Sequence, residues 1–446
     1  MFINSSRISG LFAAVTLIWA AGAEAQSGLT LAEAMARAKT ATPEARALTA
    51  GVGEADERIR QARAGYLPRV DASESVQRGD QPVFVFGSLL SQRRFSADRF
   101  AIEALNHPDA LTNVRTAVTV EQSVFDGGAT GLAVRGADLG RQLADARRGD
   151  GQQDLAVRAA TAFVRTLQAE EVLAATQATI DAAESDLERA RLRRDAGLVT
   201  DADVLAMEAY LAGARQARVT ADADRRAARL MLNAAIGAPL DDGTPLVRPV
   251  APPASTPTPD AALALVAQAL AMRQDRRVTT LQSELAETGL RGARAALMPR
   301  VAAQAGWELN GGSWLTQRAS WVVGGQVQVN LFRGFADTAR IAEARAVVTR
   351  TAAERAAVDR RIEVEVRTAL LRVDAARARL ATGVAAAAQA RESHRIVRER
   401  YEAGLATMTD VLRGLEALAA ADLRASTAEL DVVLESVMRD RAAGDL

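Results

Sequence analysis

The sequence predicts a mainly α fold with a small β part, in which a unit of two strands and a long helical hairpin is written twice. Three observations predict it. Short blocks recur in the same order at fixed spacings, two proline-free stretches carry a seven-residue apolar repeat, and the segments before them alternate apolar with polar residues. The composition agrees, since 49% of the 446 residues are hydrophobic but only 4% are aromatic. The surplus is alanine and small aliphatics, which suits long, closely packed helices. Basic and acidic side chains balance at 55 each, leaving no electrostatic footprint for nucleic acid. Cysteine is absent and the two histidines, His107 and His394, lie far apart. A zinc site, a thiol nucleophile, a disulfide framework and a lipid-modified cysteine are therefore excluded.

The first segment reads as an address. Met1 to Ala25 carries one positive charge at Arg7, an apolar stretch from Leu11 to Ala21, and Ala23-Glu24-Ala25 in the small-x-small pattern of a signal peptidase site. A cleaved secretory signal over residues 1–25 is expected, because this apolar core is well short of the ~20 residues of a spanning helix.

The repeat follows. Arg63-Ala64-Gly65-Tyr66-Leu67-Pro68-Arg69-Val70 recurs 231 residues later as Arg294-Ala295-Ala296-Leu297-Met298-Pro299-Arg300-Val301. Ser123-Val124-Phe125-Asp126-Gly127 recurs as Asn330-Leu331-Phe332-Arg333-Gly334, and Ala196-Gly197-Leu198-Val199-Thr200 as Ala403-Gly404-Leu405-Ala406-Thr407, both at a spacing of 207. The spacings differ by 24, so the first copy carries an insertion of that size between Pro68 and Phe125. The copies are expected over 26–236 and 261–446. Residues 237–260 hold seven of the twelve prolines, which neither continue a helix nor enter a sheet centre, and so form an extended linker.

Within the second copy Ile362, Val366, Ala369, Val373, Ala376 and Leu380 are spaced alternately by four and three, and Leu155, Ala159, Ala162, Thr166, Ala169 and Leu173 hold the same places in the first. That is a coiled-coil seam. Gly197 and Gly404 suit the left-handed residue that ends a helix, and Thr200 or Asp201, and Thr407 or Thr409, suit the cap of the next. Helical hairpins are thus expected over about 130–236 and 336–442.

Strands are expected over about 69–77, 116–125, 300–310 and 320–331. Val301, Ala303, Ala305, Trp307 and Leu309 alternate with polar or small residues, as do Trp321, Val323, Gly325, Val327, Val329 and Leu331. Such segments fit barrel strands between lipid and a wet lumen, with Trp307, Trp321, Val327 and Val329 toward lipid; they also fit a soluble sheet packed on helices. Glu74 and Gln122 break the alternation in the first copy. Closure separates the alternatives. Four strands fall short of the ~8 of the smallest bacterial barrels, and an open edge is not tolerated in hydrocarbon, so transmembrane strands require several chains in one barrel. Three chains would supply twelve strands and six hairpins, a conduit.

Taken together, the paired Leu-Pro-Arg-Val (67–70) and Met-Pro-Arg-Val (298–301) segments, Val124-Phe125-Asp126-Gly127-Gly128, Leu331-Phe332-Arg333-Gly334 and both Gly-Leu-x-Thr turns resemble the TolC-like outer-membrane efflux proteins over the whole mature sequence. The resemblance implies a homotrimer with a 12-stranded outer-membrane β-barrel continuous with a periplasmic α-helical barrel. It implies docking through the tips, Gly197, Leu198, Thr200, Gly404, Leu405 and Thr407, onto a periplasmic adaptor and an inner-membrane pump. Tyr401 matches the family's tip tyrosine and Asp410 the first of two aspartates that ring the periplasmic constriction; the second aspartate's place holds Arg413 and the tethering arginine's place holds Ala406. Asp203, the repeat-mate of Asp410, either joins that ring or serves as an acid at a helix N-terminus. Carboxylates gathered there would raise one another's pKa values and attract cations. The expected role is a passive exit duct for efflux or type I secretion, not an enzyme and without a cofactor, since the sequence holds no phosphate loop, dinucleotide fingerprint or nucleophile–base pair. The alternative, a periplasmic adaptor or structural coiled-coil protein, predicts one hairpin. The insertion, with its apolar run Pro82–Leu90, either packs over or into the barrel mouth or extends a strand, and by this topology is extracellular.

Overall fold

The computed structural model describes residues 28–252 and 259–446; the expected signal segment lies outside them. The first half runs α1 (Leu31–Ala41), α2 (Pro43–Arg63), β1 (Arg69–Gly79), α3 (Pro82–Ser91), α4 (Ile102–Asn106), β2 (Leu111–Phe125), α5 (Ala129–Asp195) and α6 (Asp201–Ile236). The second runs α7 (Pro259–Met272), α8 (Gln274–Ala295), β3 (Arg300–Gly311), β4 (Arg318–Gln328), α9 (Ala336–Glu402) and α10 (Met408–Ala443). Helices α5 and α9 have 67 residues each and α6 and α10 have 36 each. Each long arm is therefore about 100 Å.

The recurring motif after each second strand is a strand-to-helix turn. Gly127 and Gly128 take φ of 70° and 85°, and the Asp126 carboxylate accepts hydrogen bonds from the amides of Gly128 (2.9 Å) and Thr130 (2.7 Å), satisfying the free N–H groups of α5. In the second copy Gly334 and Phe335 take the same two left-handed places. Phe335 is thereby one of two non-glycine residues with positive φ among those described.

The strands form one antiparallel sheet in the order β1-β2-β3-β4. Its register aligns Val70 with Val120, Val118 with Trp307, Trp307 with Trp321, and Val301 with Val327, so one face is apolar across all four strands. Trp321 and Val327 are 77% and 68% exposed there. The opposite face carries Asn113, Arg115, Glu308, Asn310 and Ser320, with Arg115 Nε donating to Glu308 at 2.7 Å. Glu74 does sit on the apolar face, where its carboxylate accepts from the Thr116 hydroxyl at 2.6 Å, which in turn accepts from Gln317 at 3.1 Å. Two strand limits differ from expectation. β2 begins at Leu111, not 116, because β1 pairs with it out to Gly79. β4 ends at Gln328, opposite Arg300; Pro299 has no amide hydrogen with which to extend the ladder, so Val329 lies just beyond the strand.

In α9 the predicted seam is buried from Ile362 to Ala376, while Leu380 is half-buried. In α5 the buried band is wider, because Leu155, Ala159, Phe163, Val164 and Leu167 pack in one cluster with α1, α6 and Leu430 of α10. The linker is held against this cluster. Leu29 pairs with it, its amide donating a hydrogen bond to Pro245 O (2.7 Å) and its carbonyl accepting one from Val247 N (2.9 Å). The insertion is mainly helical, in α3 and α4, and its ends lengthen β1 to Gly79 and β2 back to Leu111.

Candidate functional site at the hairpin tips

Both hairpins turn in the same way. Gly197 (φ 73°) and Gly404 (φ 75°) have open space where a Cβ would stand, so only their left-handed backbone calls for glycine. The amides of Leu198 and Leu405 reach back to the carbonyls of Arg193 and Arg400, each at 2.8 Å, closing a Schellman end. A capping box opens the next helix on each side. The Asp203 carboxylate accepts from the amide and hydroxyl of Thr200 (3.0 and 2.9 Å), and that of Asp410 from those of Thr407 (3.0 and 2.7 Å). The six tip residues Gly197, Leu198, Thr200, Gly404, Leu405 and Thr407 are all exposed.

Beneath the turns the four long helices share one apolar cluster. Ile180, Ala183, Leu187 and Ala190 of α5 meet Val204, Met207 and Leu211 of α6 and Met408 and Val411 of α10, with Val397 and Tyr401 of α9 against them. The guanidinium of Arg193, in the last turn of α5, lies 5.1 Å from the Tyr401 ring centroid and donates to the carbonyls of Glu402 (3.1 Å) and Tyr401 (3.4 Å). It thus caps the C-terminus of α9 from the other hairpin. Burial raises the Tyr401 pKa, with Asp203 and Asp186 acting the same way and Arg193 against them, and the Tyr401 hydroxyl is buried without a partner.

Hydrogen bonds from the side chain and backbone of Thr407 hold the Asp410 pKa below its usual range, and Arg413 and Arg400 add to this. Within one chain that carboxylate is engaged in the cap. Asp203 acts on Tyr401, bringing two of the three predicted constriction residues into one neighbourhood.

Three residues that the sequence did not single out complete the region. Arg193 is one. His394 is half-buried between α5 and α10; burial lowers its pKa, Asp186 opposes and Arg398 adds, and an added Cβ on Gly414 would lie 3.2 Å from its Nδ1. Higher up, Arg248 of the linker bridges Glu171 of α5 to Glu429 (2.9 Å) and the Ser426 hydroxyl (3.3 Å) of α10. Between this clamp and the tip cluster, α5, α9 and α10 are separated by a crevice of about 730 Å³ lined by residues such as Ala175, Ala182, Ala387 and Leu415. Among the described residues no group of His, Asp or Glu could hold a metal ion. None of their helices is long and apolar enough to cross a membrane.

Two equal hairpins hung from a small sheet with one bare apolar face define a channel-type chain rather than an enzyme. The chain belongs to the outer membrane efflux protein family, whose model matches residues 34–238 and 265–442. It is 24% identical over 401 residues to the outer membrane efflux protein BepC of Brucella suis biovar 1 (strain 1330), covering 89% of this chain and 81% of that one. Its fold is that of the outer membrane protein VceC of Vibrio cholerae (TM-score 0.75, 17% identity, 93% and 96% of the two chains). The Campylobacter jejuni outer membrane channel CmeC shares it too (TM-score 0.78, 13% identity, 93% and 85%).

Proposed function

We propose that the chain is the outer-membrane exit duct of a tripartite efflux or type I secretion system, working as a homotrimer. Three four-stranded sheets close a 12-stranded barrel in the outer membrane, and six hairpins form an α-helical barrel through the periplasm. Each half, 26–236 and 261–446, serves as one repeat of this wall, with Trp307, Trp321 and Val327 toward lipid and Val329 at the barrel's periplasmic rim. The observation that carries the reading is the sheet: four strands, two free edges on β1 and β4, and an apolar face on which Val70, Trp321, Val323 and Val327 are left exposed. Hydrocarbon tolerates such a face but not such edges, which neighbouring copies would pair.

The exposed tips, Gly197, Leu198, Thr200, Gly404, Leu405 and Thr407, present the docking surface for a periplasmic adaptor that links the duct to an inner-membrane pump. Just above them Asp410, Asp203 and Tyr401 line the constriction. The loosened seam between the Arg248 clamp and the tip cluster supports a lower half that moves while the upper half stays fixed. The duct conducts passively and takes no cofactor. Outer-membrane fractionation and gels run with and without boiling test this reading. A heat-sensitive trimer in that fraction is expected; a soluble periplasmic monomer would overturn it.

A further inference from the structure

The insertion of the first copy forms a helix on one side of the sheet only. Phe84 of α3 lies 3.8 Å from a Cβ built on Gly79, Gln92 donates to Asn113 Oδ1 at 3.0 Å, and Arg94 lies 3.1 Å from a Cβ built on Gly312, just past β3; Gly79 and Asn113 belong to the polar face. Gln92 also donates to Thr112 O (2.9 Å), Asn113 donates to Asn310 Oδ1 (2.9 Å), and Arg93 reaches Ala319 O on β4 (3.0 Å). Gln92, Asn113 and Asn310 are 1%, 8% and 2% exposed. The insertion is therefore strapped across all four strands at the end remote from the long helices, by a buried amide network that fixes its side.

Helix α3 buries Val85, Ser88 and Leu89 against that anchor. Its other face, Val83, Phe86, Gly87 and Leu90, follows the i, i+3, i+4, i+7 stripe of a helix and is exposed, with Val83 80% and Leu90 50% accessible. Phe86 is held by an edge-to-face contact with Phe95 (4.9 Å), which stacks likewise on Phe100 (5.0 Å). An apolar stripe of this kind calls for a partner. Lipid is on the opposite side of the sheet, beyond the tryptophan face.

We propose that the α3 helices of three copies meet on the barrel axis and close the outer mouth of the duct with an apolar plug, an inference that rests on the trimeric duct. Twelve strands about 4.8 Å apart and tilted about 40° enclose a backbone radius of about 12 Å. Three helices about 10 Å across, packed in mutual contact, need a circle of about 11 Å radius, more than the wall's inward side chains leave free, so they meet at the rim of the mouth and not between the strands. In a lumen walled by polar side chains, the other copies' stripes are the apolar surface at the same height. A constriction of this kind excludes water until the helices part, so the duct is sealed at its outer end independently of the tips.

The chain has no cysteine, so single thiols report cleanly. Phe86→Cys should form disulfide-linked pairs of copies on oxidation of intact outer membranes. Ser73→Cys, on the polar face below the insertion, should react slowly with a bulky impermeant maleimide added outside. Combining it with Val83→Ser, Phe86→Ser and Leu90→Ser should speed labelling on the order of tenfold. A heat-sensitive trimer showing neither the cross-link nor the acceleration would overturn the plug and leave the duct standing. So would Val83→Cys reacting faster with a lipid-soluble reagent than with an aqueous one. Failure to find any trimer would remove the duct and the plug together.

Discussion

Replacing Arg193 with Gln removes a side chain that ties the end of α9 to α5 through both ring and backbone. The ring contact at 5.1 Å contributes about 0.5–1 kcal/mol. The hydrogen bond to Glu402 O at 3.1 Å, from a charged donor at a helix C-terminus, contributes about 1–1.5 kcal/mol, and the 3.4 Å contact adds little. The sum is about 2 kcal/mol, or about a thirtyfold change in a local opening equilibrium. Hydrogen exchange at the amides of Gly404 and Leu405, which close the α9 turn, should accelerate by that factor, while amides near Phe163 in the upper cluster stay unchanged. Tyr401→Phe provides the control. It keeps the ring under Arg193 and removes a buried hydroxyl without a partner in the chain, so exchange should be unchanged or slower. Acceleration by Tyr401→Phe equal to that of Arg193→Gln would show that the hydroxyl, not the ring face, secures the tip, and would refute the reasoning.

Acidification should loosen the tips through His394. Its folded pKa lies below the ordinary 6.5, so the unfolded chain binds the proton more readily, and stability is lost as pH falls through 6.5 toward the lower folded value. Tip exchange measured across that range should rise, and His394→Gln should flatten the profile. Arg248→Ala should cost about 1 kcal/mol in thermal stability after allowance for its partial exposure, with a smaller loss at high salt; an equal loss at all ionic strengths would deny the ion pairs their part. Brominated lipids in reconstituted bilayers should quench Trp307 and Trp321 but spare Trp314 of the β3–β4 turn. Quenching confined to Trp314 would reverse the orientation of the sheet. In planar bilayers Asp410→Asn should reduce cation preference, and identical selectivity would reject a place for Asp410 at the constriction.

Much of the architecture was legible because it depends on local signals. The glycines at 197 and 404 sit where a helix must end left-handed, and Thr407 stands three residues before Asp410, the spacing of a capping box. The seam from Ile362 to Ala376 was legible from its period alone. What escaped depends on contacts across distant stretches of chain. Arg193 and Tyr401 are 208 residues apart, and Arg248 meets Ser426 across 178. Arg193 has an arginine repeat-mate, Arg400, but the place of Tyr401 in the first copy is held by Arg194, so the repeat itself could not point to the contact. The insertion was ambiguous for another reason: Pro82–Leu90 is apolar on both faces, and hydropathy cannot orient a helix with no polar side. Only the burial of Gln92 with Asn113 and Asn310 fixes which side of the sheet it occupies.

The equal lengths of α5 and α9, and of α6 and α10, restrict how this protein can evolve. One residue added to a single arm would turn everything below it by about 100° and lower it about 1.5 Å, parting Leu187 from Met207 or Tyr401 from Arg193. A viable lineage must lengthen or shorten all four arms together, and in whole heptads if the seam is to keep facing inward. The reach of the molecule is thus a gauge copied in duplicate, tolerant of substitution along its faces and intolerant of single insertions or deletions.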